Sequence, residues 1–369
     1  MHRVPENPIL TPADVPPSGE GLRVRGVFNP AATVRQVPGE PEEVLLLLRV
    51  AEDVPADDDH VGVPVVAFDD AGVARIEPLV VRLDDPDVQL RDTRGVRYRG
   101  TEYLTTLSHL RLARSRDGVN FTVDREPFLL PQHPSERFGV EDARITRLAD
   151  RENRYFINFT IVSPDNWATA LVSTDDLAPR EGACQLERHG TIFHPSNKDV
   201  SIFPERIGGQ YYALHRPNNE GFGKASIWLA RSPDLEHWGH HECLLRPRTE
   251  PEAAALSEAV KIGGGPPCLK TPRGWLQLYH GKGENQRYTL HLALLALDDP
   301  SRVLARTVRP IFEPQEEYET TGFFGGVVFA TGLVEFGDRV LVYYGASDDK
   351  TCAAATSIDE LLTLLDQAS

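Results

Sequence analysis

The chain has 369 residues, 40% of them hydrophobic and 25% charged, with a formal net charge of -16. That balance is ordinary for a globular protein and sets nucleic acid aside as a partner, because a phosphate backbone calls for an excess of Lys and Arg. A small anionic substrate stays open, since a few basic side chains can line one pocket of an acidic protein.

The N-terminal "MHRVPENPILTPADVPPSGEG" has no apolar core of the signal-peptide kind, and no run is long and apolar enough to cross a bilayer. A cytoplasmic protein with no membrane partner is expected, with residues 1–20 packed as an extended, proline-rich arm. Further along come short strands rich in Val, Leu, Tyr and Phe: "EVLLLLRVA", "YFINFTIVS", "YYALHRP", "WLQLYHG" and "RVLVYYGAS". The last four are each followed by a second strand, "ATALVST", "SIWLARS", "LHLALLAL" and "TCAAATS". An aspartate marks the turn after each second strand, at Asp175, Asp234, Asp298 and Asp359, and Asp117 in "LRLARSRDG" gives the first such turn. The interval is about sixty residues, longer than the ~40–50 of common propeller blades, and fits four strands with generous loops. The expected fold is all-β, a five-bladed β-propeller with a short C-terminal helix, and residues 1–369 form one domain. That helix is "SIDELLTLLDQ", with Ser357 as N-cap and Glu360 completing a capping box. Cys184, Cys243, Cys268 and Cys352 match no metal or redox spacing and read as buried free thiols of a reducing compartment.

In a propeller the first strand of every blade points at one axial pocket. Charged or imidazole side chains end these strands: Arg49, Asp142, Lys198, His215, Arg216, His280 and Asp348. Ser, Thr and Asn would be the ordinary residues there. The stretch "RFGVEDAR", which reads by itself as a salt-bridged turn, thereby becomes a candidate for the pocket rim.

The segments "NPILTP", "GVFNPA", "GVEDARIT", "NKDVSIFPE", "ALHRP", "SPDLEHWG", "GGGPPCLKTPRGWLQLYHG" and "VYYGASDD" occur in an order that resembles glycoside hydrolase family 130, the β-mannoside phosphorylases and β-mannosidases. The resemblance runs nearly end to end and implies a five-bladed propeller. "TGFFGGVVFATG" and "NEGFGKASIWLARSPDLEHWG" are similar to the branch acting on β-1,2-mannosides.

Inverting hydrolysis needs two carboxylates, roughly 6.5–9.5 Å apart, one acid and one base. A phosphorylase can drop the base, because phosphate arrives anionic, and must supply cationic donors instead. The resemblance implies that Asp142 is the general acid, its proton passing through a mannose hydroxyl, with Glu141 and Arg144 as a structural pair. It implies that Asn29, Arg49, Arg111 and Asp348 grip the mannose at the reactive subsite. Asn29 reads equally as a turn residue before Pro30, and Asp349 could replace Asp348. Lys198, Lys261 and His280 match phosphate-contacting positions, with Arg216 close by. His280 could also be a core histidine, and His215 and Tyr279 read either as sugar contacts or as core. Three departures stand out: Pro164 and Asp165 where many phosphorylases carry an arginine, Ala143 for proline, and Gly326 for asparagine.

The leading expectation is an inverting phosphorylase that turns β-1,2-mannobiose or oligomannosides and phosphate into α-mannose 1-phosphate. The alternatives are an exo-β-1,2-mannosidase using Asp165, Glu220 or Glu284 as base, and a carbohydrate-binding propeller without catalysis. No metal or organic cofactor is expected, only inorganic phosphate as co-substrate. Edge loops of such a fold can support a homo-oligomer.

Overall fold

The computed structural model describes every residue except 38, 71, 92–93, 180–181, 219–222, 249–256 and 369. It is all-β, with five antiparallel sheets in chain order and a helix, Ile358–Ala368, at the end. Sheet I runs Arg23–Arg35, Glu43–Asp53, Leu107–Ser115, Thr122–Val123. Sheet II runs Val140–Leu148, Arg154–Ser163, Asn166–Thr174, Glu187–Phe193, and sheet III runs Asn197–Ile202, Tyr211–Pro217, Ile227–Ser232, Gly239–Leu245. Sheet IV is Lys261–Gly264, Gly274–Lys282, Tyr288–Leu295, Val303–Arg306, with Leu269–Thr271 as an extra strand. Sheet V takes Val328–Phe336, Arg339–Ala346 and Lys350–Thr356, and its fourth strand is His2–Arg3 from the other end of the chain.

The run of leucines in sheet I shows why the sheets stack. Successive strand side chains point to opposite faces. Leu45 and Leu47 pack with Ile157 and Phe159 of sheet II, whereas Leu46 and Leu48 pack with Leu341 and Tyr343 of sheet V. A strand covered on both faces has no polar alternation, so it reads as a continuous apolar run. Further apolar layers join sheets II and III through Phe156 and Tyr211, III and IV through Leu214 and Trp275, and IV and V through Leu278 and Val342. Each sheet therefore shares one core with the sheet before it and another with the sheet after it.

Several sequence expectations change. The long apolar strands are the second strands of their sheets, not the first, and the first strands are less conspicuous segments such as "NKDVSI" and "KIGG". The turn acids are Asp117 and Asp234 as expected, each accepting backbone N–H bonds from two residues ahead. In sheets II and IV the neighbouring Asp176 and Asp299 play that part instead of Asp175 and Asp298, and Asp359 lies inside the final helix. Ser357 does cap that helix, accepting from the Glu360 N–H at 3.1 Å. Glu360 does not complete the box, because its carboxylate takes Thr356 and the N-terminal ammonium. The N-terminal arm is a strand with further anchors, among them the Asn7 side chain, which exchanges two 2.8 Å bonds with the Ala353 backbone. Of the four thiols, Cys268 and Cys352 are buried while Cys184 and Cys243 are half-buried.

Between two paired strands of sheet I, residues 54–106 leave the sheet and return. They form a hairpin, His60–Phe68 with Ala74–Arg82, and a three-stranded sheet, Val88–Leu90, Gly95–Tyr98 and Thr101–Leu104. Nothing in the sequence pattern announced this excursion.

Candidate active site

Three inner strands break their ladders in the same way. The register slips between Phe28 and Ala31 in sheet I, between Glu141 and Arg144 in sheet II, and between Lys198 and Ser201 in sheet III. At each slip one residue adopts left-handed backbone: Asn29 (φ 48°), Asp142 (φ 48°) and Asp199 (φ 54°). Asn and Asp tolerate that conformation better than other non-glycine residues, and a bulge re-aims the side chains beside it. The strand opposite supplies Arg49, Thr160 and Arg216 at equivalent positions, paired with Phe28, Glu141 and Lys198.

The first bulge and the second meet. Asn29 Nδ2 donates to Asp142 Oδ1 at 2.8 Å, and Arg49 donates from Nη1 to the same oxygen at 3.0 Å and from Nη2 to Glu141 Oε1 at 2.7 Å. Lys198 Nζ stands 3.5 Å from Asp142 Oδ2. Gly345 allows this approach, since a Cβ there would lie 2.1 Å from Asn29 Oδ1. Burial alone would raise the Asp142 pKa, but Arg49, Lys198 and Arg144 outweigh it and hold the carboxyl well below its usual range. Asp348, also left-handed at φ 52°, goes the other way. Burial, with Asp142 and Glu141 adding like charge against the pull of Arg49 and Lys198, pushes it up to about 6. Two carboxyls of one pocket are thus driven apart in proton affinity.

These groups line a cavity of about 580 Å³ with Asn29, Arg49, Asp142, Asp348, Tyr288 and Phe324 on its walls. A wider one of about 980 Å³ shares Arg94, Glu141 and Lys198 with it. Lys198, Arg216 and Lys261 form part of its wall, and Tyr103, Asp165 and Trp167 line it too. Burial, with Arg216 and Lys198 adding positive charge and Asp199 opposing them, brings Lys261 down to about 7. Behind that wall Asp199 is fully buried, its Oδ2 2.8 Å from Arg216 Nη1.

The family model described as beta-1,4-mannooligosaccharide phosphorylase matches residues 92–367. The chain belongs to glycoside hydrolase family 130. It is 44% identical, over 99% of its length and 98% of the other's, to the beta-1,2-mannobiose phosphorylase of Listeria innocua. It is 34% identical, over 68% of its length and 81% of the other's, to the 1,2-beta-oligomannan phosphorylase of a Thermoanaerobacter species. The solved Listeria innocua enzyme in complex with beta-1,2-mannobiose superposes with a TM-score of 0.85, covering 99% of both chains.

The positions that family 130 resemblance singled out fall into two groups. Asn29, Arg49, Asp142 and Asp348 come together in the smaller cavity, and Lys198, Arg216 and Lys261 on the wall of the wider one. Four others are not there. Arg111 follows Leu110, the cross-strand partner of Arg49, so it projects from the opposite face of sheet I, where its Nη1 donates to the Arg125 carbonyl at 2.7 Å. Tyr279 is buried and donates its hydroxyl to Glu258 at 2.5 Å. His215 stacks on Phe193 and bonds Asn197 and His241, in a separate recess between sheets II and III. His280 lies fully buried behind Arg216, with Arg216 Nη1 3.3 Å from its Nε2, so it is off the cavity wall. Strand parity accounts for His215, one residue before the cavity-lining Arg216, and for Arg111, which faces away from the side that Arg49 takes. Tyr279 and His280 are consecutive on one strand and so face opposite ways, and neither lines a cavity. The expected Glu141–Arg144 pair is also absent. The bulge turns Glu141 to the pocket side with Arg49, and Arg144 instead donates to the carbonyls of Asp142, Gly264 and Gly265. Sequence reasoning missed Asp199, although "NKDVS" repeats the αL-acid position of "VEDAR" one unit later.

Proposed function

We propose that the protein is an inverting β-mannoside phosphorylase that cleaves β-1,2-mannobiose and short β-1,2-oligomannosides with inorganic phosphate, releasing α-mannose 1-phosphate. The observation that carries this reading is the set of buried or half-buried cations, Lys198, Arg216 and Lys261, that line one cavity beside the buried Asp142. A hydrolase would need a base instead. Asp165 lines the wider cavity but is solvent-exposed, Glu284 is exposed and lines neither cavity, and Glu220 lies outside the described residues. For the linkage, identity across nearly the whole chain to a β-1,2 enzyme outweighs the β-1,4 wording of the family description. We read the five sheets as the blades of a single catalytic propeller domain, with the cavities at its axis.

In this reading the terminal mannose sits in the smaller cavity, gripped by Asn29, Arg49 and Asp348, and phosphate lies against Lys198, Arg216 and Lys261. A phosphate oxygen attacks the anomeric carbon from the face opposite the leaving oxygen. The carbon–oxygen bond to the acceptor breaks with its electron pair on the acceptor oxygen, which takes a proton originating at Asp142 and relayed by a mannose hydroxyl. The phosphate proton finally restores the acid, so the balance closes without another reactant. Asp142 is a poor acid while three cations surround it. Bound phosphate offsets their charge and so raises its proton affinity, which couples arrival of the nucleophile to readiness of the acid.

Incubating the protein with β-1,2-mannobiose, with and without phosphate, and identifying products by NMR tests the reading. Phosphate-dependent α-mannose 1-phosphate is expected, and Asp142→Asn should lower kcat by roughly 10²–10⁴-fold. Free mannose released equally fast without phosphate would overturn it in favour of hydrolysis.

A further inference from the structure

The carboxylate of Asp199 has no place in the reaction as drawn, yet it occupies the position in sheet III that Asp142 occupies in sheet II. Both sit at φ near 50°, in the same bulge, and both are buried. Their surroundings separate them. Asp142 opens on a cavity, whereas Asp199 lies behind the cation wall and lines neither cavity. Arg216 Nη1 is 2.8 Å from its Oδ2, His280 Nε2 is 3.5 Å from the same oxygen, and Arg144 Nη2 is 3.7 Å from Oδ1. Neither oxygen has a well-aligned hydrogen bond among the described residues, so attraction between charges holds the group together. The space is made by Gly263, where a Cβ would fall 2.3 Å from Asp199 Oδ2 and 2.5 Å from His280 Nε2.

We infer that Asp199 is a positioning residue for the anionic co-substrate: held in its bulge, it fixes the Arg216 guanidinium on the cavity wall with His280 behind it, so that Arg216 meets phosphate already oriented. The inference rests on the phosphorylase reading above. A guanidinium is planar and donates in fixed directions, so its usefulness to a tetrahedral anion depends on how it is held. The partner of the guanidinium is on the side away from the cavity, and the remaining donors are left for a ligand. Asp199 also tempers the repulsion among the cations, for it opposes the depression of the Lys261 pKa. Lys261 faces Arg216, Lys198 and Asp199 from sheet III and Lys282 from its own sheet, with its Nζ 5.3 Å from the Tyr288 ring centre.

The test is a steady-state comparison of wild type and Asp199→Asn with β-1,2-mannobiose as substrate and phosphate varied. The isosteric change removes the charge and keeps a residue that accepts left-handed backbone. The expected result is a KM for phosphate raised about tenfold or more, with the KM for mannobiose nearly unchanged and kcat at saturating phosphate reduced much less. The pH limb above which phosphate is used poorly should also move to lower pH, because Lys261 loses the one carboxylate that opposes its deprotonation. A purely structural role would not move that limb. Loss confined to kcat, or an unchanged KM for phosphate, would overturn the inference. Wild type turning over without phosphate would instead remove the phosphorylase reading beneath it. Should Asp199→Asn not fold, Gly263→Ala displaces the same carboxylate while keeping its charge, and is expected to raise the KM for phosphate. An unchanged value there overturns the inference equally.

Discussion

Lys261 is the cation on which pH acts within the physiological range. Its pKa, brought down to about 7 chiefly by burial and the neighbouring Arg216, leaves it charged below that pH and neutral above. In the proposed function its attraction for phosphate is therefore present in mild acid and lost as pH rises through 7, while bound phosphate pulls the proton back on. In a Lys261→Arg variant the guanidinium stays charged throughout. Measured from pH 6 to 9, kcat/KM for phosphate is expected to fall above neutrality in wild type and to hold to higher pH in that variant. An identical fall in both would remove Lys261 from phosphate binding. Asp348 needs no such switch to explain its value of about 6, since burial among Asp142 and Glu141 is sufficient cause.

At the scale of elements, the bulge is the device that matters. An uninterrupted strand would send Glu141 and Asp142 to opposite faces, and the slip lets both reach Arg49. The bulge at Asn29 in turn depends on the adjoining strand of sheet V having no side chain at Gly345. Gly345→Ala places a methyl against Asn29 Oδ1, and overpacking of that kind costs about 1–3 kcal/mol. The variant is expected to melt earlier and to lose rate through a displaced Asn29, measured by denaturant melts and kcat together. Unaltered kcat would mean that Asn29 tolerates the shift. Sequence reading reached the strand count of each unit because buried strands and turn acids recur audibly. It could not rank first strand against second, because four residues such as "KIGG" carry no β signal of their own. The same gap governed the site. Arg49, Asp142, Lys198, Arg216 and Asp348 stood out as charged strand ends, whereas Asn29 and Lys261 were singled out only by the family resemblance. Arg111 and His215 fall elsewhere because a shift of one residue along a strand reverses its face, and the bulges that set that phase leave no mark in composition. Tyr279 and His280 lie side by side on a buried strand, a core placement that the sequence left open beside the pocket.

For the molecule as a whole, stability depends on joining the two ends of the chain. His2–Arg3 pairs with Ala354 and Ala355, and Arg3 donates from Nε and Nη2 to Glu319 at 2.8 Å each. Glu319 is fully buried and also receives the Tyr344 hydroxyl. Arg3→Ala would leave that carboxylate with the Tyr344 hydroxyl and two backbone N–H groups but without the Arg3 guanidinium, a loss of about 1–3 kcal/mol. A clear drop in Tm is expected by calorimetry, eased at low pH where Glu319 can be protonated. A Tm unchanged at neutral pH would show that the last sheet closes without this pair.

The excursion of residues 54–106 bears on how such an enzyme diversifies. It leaves and rejoins sheet I at Glu52 and Leu107, which are already cross-strand partners, so the sheet beneath it is continuous without it. Tyr103 and Arg94, on the wall of the wider cavity, come from this excursion, while Asp142, Lys198 and Lys261 come from the sheets. The groups assigned to the reaction in the proposed function and this part of the cavity lining therefore belong to separable parts of the chain. Replacing residues 54–106 changes the wall of the wider cavity at Arg94 and Tyr103 and leaves Asp142, Lys198 and Lys261 on their own strands.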